Sequence, residues 1–146
     1  MGADTAMARH SYYCPIRWSD MDVYGIVNNV SYLRYLEEAR VDFIFRMAPT
    51  EGDAFFRDGS VVVEHAIRYR RQLVHRHEPV EIEMWVSDLQ SATVAIDYAV
   101  KDGDTVYATA STVMAPFDYA AGRPRRLTDE EIRFFEKYAD GTPAAG

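Results

Sequence analysis

The sequence predicts an α+β domain in which a curled antiparallel sheet of five strands wraps one long helix, with a short helix near the C-terminus. Three observations carry this. Four consecutive stretches alternate apolar and polar residues, the mark of strands with one wet face. Short polar links join most of them, as antiparallel hairpins require. One stretch, residues 28–47, instead repeats apolar side chains at three- and four-residue steps.

Taken in order, residues 1–10 read as a loose leader. In residues 12–18, Tyr12, Cys14, Ile16 and Trp18 share one face of a β-strand. Pro15 lacks an N–H, which puts this strand at a sheet edge or the proline at a bulge. Residues 19–28, with two aspartates, a glycine and an asparagine, break the pattern as a loop. The helix then carries Tyr32, Leu33, Leu36, Ala39, Phe43 and Met47 on its apolar face, widened by Val30, Tyr35, Val41 and Ile44. A helix so apolar should be largely wrapped by other structure. Asn28 or Asn29 suits the N-cap, Glu37 and Arg40 can pair at i,i+3, and Pro49 and Gly52 end the element.

Residues 60–71 place Val61, Val63, His65, Ile67 and Tyr69 on one face. Residues 80–88 alternate Val80, Ile82, Met84 and Val86 against Glu81, Glu83, Trp85 and Ser87. Residues 92–101 align Ala92, Val94, Ile96, Tyr98 and Val100, and residues 105–117 align Val106, Ala108, Ala110, Thr112 and Met114. Leu89-Gln90-Ser91 and Asp102-Gly103-Asp104 are the hairpin links. Thr128 with Glu131 forms a capping box that opens a helix reaching about Tyr138. The reading is one domain over residues 1–146, with its core at about 12–117 and a fraying tail at 140–146.

The formal net charge of -7 argues against non-specific nucleic-acid binding, which needs a cationic surface. No apolar run has the length of a membrane span, and residues 1–10 hold no apolar signal segment. Ala6 stands where a myristoylation signal needs Ser or Thr. Cys14, the single cysteine, cannot form an internal disulfide. These features point to a cytoplasmic protein without membrane or nucleic-acid partners.

The chemistry concentrates in residues 20–29, Asp-Met-Asp-Val-Tyr-Gly-Ile-Val-Asn-Asn, where a strand passes into the long helix. The first turn of a helix has free N–H groups and a dipole that favours negative charge. An attacked thioester carbonyl develops such a charge, and a nearby carboxylate can act as base or nucleophile. Gly25 lets the backbone approach a ligand. On composition alone, the favoured reading is that Asp20 and Asp22 cap the loop and complement the helix dipole.

The run from Ile16 to Asn29, Ile-Arg-Trp-Ser-Asp-Met-Asp-Val-Tyr-Gly-Ile-Val-Asn-Asn, resembles the signature of the hotdog-fold acyl-CoA thioesterases, in the branch of the 4-hydroxybenzoyl-CoA thioesterase. Its continuation from Val30 to Arg40 resembles that group too, and the likeness extends over about residues 12–117. The resemblance implies that Asp22 is the catalytic carboxylate, Gly25 the turn glycine, and the backbone N–H of Asn29 the group polarising the thioester carbonyl. Some relatives carry histidine where this chain has Asn29. Whether Asp22 attacks the carbonyl or activates water stays open. Tyr24, Ile26, Val27 and Asn28, flanking these groups, are candidates to touch substrate. The resemblance also implies a homodimer or a homotetramer with the acyl site between subunits, where Tyr32 and Glu37 help shape the pocket.

Residues 68–77 hold the densest basic cluster, and Arg70, Arg71 and Arg76 are the candidates for coenzyme A phosphates. A solvated loop paired with local glutamates is the alternative. Asp20 is either a second carboxylate of the site or a turn residue. His65 reads as a hydrogen-bonded core histidine. His75 and His77 lack a third ligand at metal spacing, so no metal is assigned, and no cofactor is expected beyond the coenzyme A of the substrate. The chain has no Gly-x-Ser-x-Gly nucleophile motif and no phosphate loop. The expected activity is hydrolysis of an acyl-CoA or acyl-phosphopantetheine thioester. A non-catalytic acyl-CoA-binding domain, acting as sensor or scaffold, is the alternative.

Overall fold

In the computed structural model, which describes residues 8–46 and 56–144, the elements follow the predicted order. They are β1 (His10–Cys14), α1 (Asn29–Val41), β2 (Ser60–Tyr69), β3 (Val80–Leu89), β4 (Val94–Asp102), β5 (Thr105–Asp118), a short β6 (Arg123–Pro124) and α2 (Asp129–Glu136). The sheet order is β1-β3-β4-β5-β2, every pairing antiparallel, and β6 adds to the end of β5. One curled sheet around one long helix is the hotdog arrangement.

The alternation predicted for β3 and β4 supplies the inner face. Val80, Ile82, Met84, Val94, Ile96, Tyr98 and Val100 are fully buried beside Leu36, Ala39, Phe43 and Ile44 of the helical segment. Each such aliphatic or aromatic side chain stabilises the fold by about 1.5–3 kcal/mol. Gly103 takes φ +60 in the β4–β5 link, where a residue with a Cβ would be strained.

Asn28 is the N-cap of α1, its Oδ1 accepting from Val30 N at 3.0 Å. After Val41 the helix continues as a π-helical turn, Asp42–Arg46, that buries Phe43 and Ile44. Met47, Pro49 and Gly52 lie outside the described residues. The sheet covers only part of α1, however: Val30, Leu33 and Val41 are exposed. Arg40 turns inward and donates to Tyr98 Oη at 3.3 Å instead of pairing with Glu37.

Several expectations are corrected. Strand β1 ends at Cys14, so Ile16 is buried but Trp18 enters a 3-10 turn (Trp18–Asp20) and is 76% exposed. A register shift between Val62 and Glu64 breaks the single face expected for β2. Val62 pairs opposite buried Met114, and Val63 is exposed. The described end of the leader is not loose: Ala8 N is bonded to Lys137 O and His10 lies inside β1. Its first seven residues lie outside the described ones.

The tail, expected to fray, is fastened across the outer face of the sheet as far as residue 144. Asp140 N donates to Val86 O, Trp85 Nε1 to Thr142 O at 2.6 Å, and Ala144 N to Asp97 Oδ2 at 2.9 Å. Arg9 lies 3.8 Å over the Trp85 ring and pairs with Asp140. This is why Trp85 is buried on a face expected to be wet. Deleting residues 140–146 should red-shift Trp85 fluorescence and cost roughly 3 kcal/mol, at about 1 kcal/mol per lost hydrogen bond. A denaturant melt of the truncated chain checks it. Among the described residues no helix is long and apolar enough to cross a membrane.

Candidate active site

The loop between β1 and α1 is a miniature hairpin. Met21 and Val27 form an isolated antiparallel bridge, Asp22 N donates to Ile26 O at 2.8 Å, and Gly25 N closes the turn on Asp22 O at 3.0 Å. Gly25 sits at φ +79, which explains glycine at this position. No atom lies within 4 Å of the point a Cβ would occupy there, so the constraint within the chain is conformational. Gly25→Ala should therefore lower stability by about 1–2 kcal/mol and turnover more than proportionally, because the turn carries Asp22. Thermal melts and activity measured on the same sample test this.

The Asp22 carboxylate is half-buried. Its Oδ1 accepts from Tyr24 N at 2.8 Å and Ile26 N at 3.4 Å, and Oδ2 has no partner among the described residues. At the start of α1, Val30 N is taken by the Asn28 side chain and Ser31 N by Asn28 O. Asn29 N–H has no acceptor among the described residues. A cleft of about 280 Å³ brings Asp22 and Asn29 together with Ile26, Val27, Tyr32, Tyr69, Arg70, Arg71, Gln72 and Leu73. A second cleft of about 560 Å³ is also lined by Asp22, with Trp18, Met21, Val23, Gly25, Val74 and His75 among others.

Asp20 is deeply buried, at 3% exposure, and is not in either cleft. Its Oδ2 accepts from Tyr35 Oη at 2.6 Å and Arg17 N at 2.9 Å, and Arg17 Nη2 reaches Oδ1 at 3.1 Å. Burial alone would raise its pKa, but the bonds from Tyr35 and Arg17 outweigh it and hold the carboxyl below its usual range. Of the two roles weighed for Asp20, the turn residue is the one this geometry fits.

Tyr32 is buried under Tyr69 in an edge-to-face contact of 5.1 Å, and burial, with Tyr69 and Tyr107 nearby, pushes its hydroxyl up to about 12. Tyr69 Oη donates to Asn29 O at 3.3 Å. The backbone amides of Arg70 and Arg71 both bond Tyr107 O, which fixes where their side chains leave the strand end.

Other expected site residues fall elsewhere. Asn28 is spent on the cap. Tyr24 is 82% exposed and meets the site only through its N–H. Glu37 is exposed on α1 and lines neither cleft. Arg76 is not at the cleft: its guanidinium bonds Glu78 O, Pro79 O and, at 2.6 Å, Asp102 Oδ2. His65 is bonded as expected, Nδ1 to Thr112 Oγ1 at 2.9 Å, but on an exposed strand. His75 packs edge-on against Trp18 and His77. Among the described residues no group of His, Cys, Asp and Glu could hold a metal ion.

Residue patterns missed Tyr69, Gln72 and Leu73 as cleft residues. The one available signal was the alternation that put Tyr69 on the same side of β2 as Ile67.

The sequence profile of the thioesterase-like superfamily matches residues 16–135. No curated protein matches the chain. Among solved structures, a candidate acyl-CoA thioesterase from Xanthomonas campestris is 32% identical, with TM-score 0.62 over 77% of this chain and 93% of that one. A candidate thioesterase from Pseudomonas aeruginosa is 31% identical, with TM-score 0.72 over 85% and 95%. A Thermus thermophilus thioesterase solved with coenzyme A and zinc is 22% identical and shares the fold, with TM-score 0.74 over 91% and 95%.

Proposed function

Since the chain belongs to the thioesterase-like superfamily, we propose that it hydrolyses an acyl-coenzyme A to the free acid and coenzyme A, with Asp22 as the catalytic carboxylate. The observation that carries this is one cleft holding both a carboxylate oxygen and a helix N-terminal amide that have no partner among the described residues. The thioester oxygen accepts from Asn29 N–H, where the helix dipole favours the developing charge. Asp22 Oδ2 either takes a proton from the attacking water or itself attacks the carbonyl carbon, in which case a water then hydrolyses the resulting acyl anhydride, freeing the acid and restoring the Asp22 carboxylate. The C–S bond breaks and coenzyme A leaves as a thiolate, which needs little acid assistance. Tyr24 and Ile26 amides hold Oδ1 and so steady the carboxylate.

The pocket walls of Tyr32, Tyr69, Ile26, Val27 and Leu73 suit an apolar group, and Arg70 and Arg71 at the rim suit phosphate oxygens. The Thermus relative was solved with coenzyme A, which agrees with a phosphopantetheine thioester as substrate. Arg71→Ala should raise KM for an acyl-CoA about fivefold, as expected for an exposed cation near phosphate, and leave KM for the matching acyl-pantetheine unchanged. Steady-state kinetics on the two substrates decide it.

The same reading makes the enzyme a homodimer or a dimer-based tetramer. Strand β2 is a sheet edge exposed on both faces, and the uncovered α1 residues Val30, Leu33 and Val41 add an apolar surface. Light scattering at assay concentration tests this. A cytoplasmic setting suits the one buried, unpaired cysteine, Cys14. Thiol release measured over a panel of acyl-CoA esters tests the activity. Binding of those esters without release of thiol would overturn hydrolysis in favour of a binding domain.

A further inference from the structure

We propose that Asp20 and Tyr35 are positioning residues, which fix the Asp22 carboxylate relative to the Asn29 amide. The inference rests on the reading of those two groups as the working pair. A carboxylate taken out of water at 3% exposure is costly unless hydrogen bonds replace its hydration. Here one replacement comes from the helix that begins with Asn29 and the others from the segment that leads to Asp22. Tyr35 donates from α1, six positions after Asn29, and Arg17 donates from the chain entering the loop. The backbone carbonyl of Asp20 adds two more ties to the helix start, accepting from Asn28 N at 2.9 Å and Ser31 Oγ at 3.4 Å.

The 3-10 turn is therefore docked on the first two turns of α1, and Asp22 leaves it only two residues later. The loop is held at its other side by Val27 N on Leu73 O at 2.7 Å and by the Met21–Val27 bridge. Loss of one Asp20 contact should thus loosen the spacing without unfolding the domain. The Tyr35 hydroxyl, raised by burial and then by its bond to Asp20, stays protonated and keeps donating across the working range of pH.

The test is Tyr35→Phe, which removes one hydroxyl and preserves the packing. Turnover should fall about tenfold with KM within about twofold, because a misplacement on the order of an ångström suffices to slow a positioned reaction. An Ile82→Val variant, which weakens the core away from the loop, should keep its kcat. Independently of turnover, NMR amide signals of Tyr24, Ile26 and Asn29 should shift or broaden in Tyr35→Phe, with those of Ile82 and Ile96 unmoved. Unchanged loop signals overturn the proposal, as does a kcat equal to that of the parent. A parent that releases no thiol from any ester defeats the hydrolase reading instead, and the NMR result then decides the positioning claim alone. If Tyr35→Phe does not fold, Ser31→Ala takes its place with the same two readouts.

Discussion

Asp22→Asn should cut thioester turnover by at least about a hundredfold, the usual worth of a positioned base, and leave KM nearly unchanged. Asparagine has the shape of aspartate and keeps an oxygen for the amides of Tyr24 and Ile26, so the loop conformation survives. The substitution removes only the charge and the basic or nucleophilic oxygen. The carbonyl still docks on Asn29 N–H, which explains why binding is spared. Asp22→Ala is a poorer test, since it also removes the acceptor that shapes the turn around Gly25. Thiol release by Asp22→Asn at near the parental rate would mean that another group does the chemistry.

The fold was legible where local pattern and final environment coincide. Ile82, Met84, Ile96 and Tyr98 alternate in sequence and are buried in fact, and Asn28 caps because its side chain reaches the amide two residues on. Where a distant segment decides, the pattern was silent. Val63 looks like its neighbours, but it lies at a shift in the pairing with β5 on an edge strand and is exposed. Trp85 sits at a position expected to be wet, and the tail and Arg9 cover it.

The site divides the same way. Asp22, Gly25 and Asn29 lie within one short loop, so residue order brings them near each other before any tertiary structure forms. Tyr69 and Leu73 arrive because the end of β2 runs beside the start of α1, shown by Tyr69 Oη on Asn29 O and Val27 N on Leu73 O. Density of positive charge singled out Arg76 together with Arg70 and Arg71. What separates them is a hairpin carboxylate, Asp102, and two carbonyls that sequence spacing does not reveal.

The largest structural effect is expected from Arg125→Met. Glu131, at 0% exposure, accepts from Arg125 Nη1 at 2.8 Å, Arg125 Nη2 at 2.9 Å and Thr128 N at 2.8 Å. Thr128 Oγ1 in turn accepts from Glu131 N at 3.1 Å, completing the capping box of α2. Methionine keeps the apolar stem of the arginine but leaves a buried carboxylate with one remaining donor. Breaking a buried pair from one side costs about 3–5 kcal/mol, and the low end applies because Arg125 is itself partly exposed. At about 2–4 °C per kcal/mol for a domain of this size, the melting midpoint should fall by roughly 10 °C. The double variant Arg125→Met with Glu131→Leu should recover most of that loss, since no charge is then stranded. No residue of α2 lines either cleft, so kcat of the folded single variant should match the parent. A midpoint equal to that of the parent would mean that the carboxylate finds water or another donor when the arginine is gone.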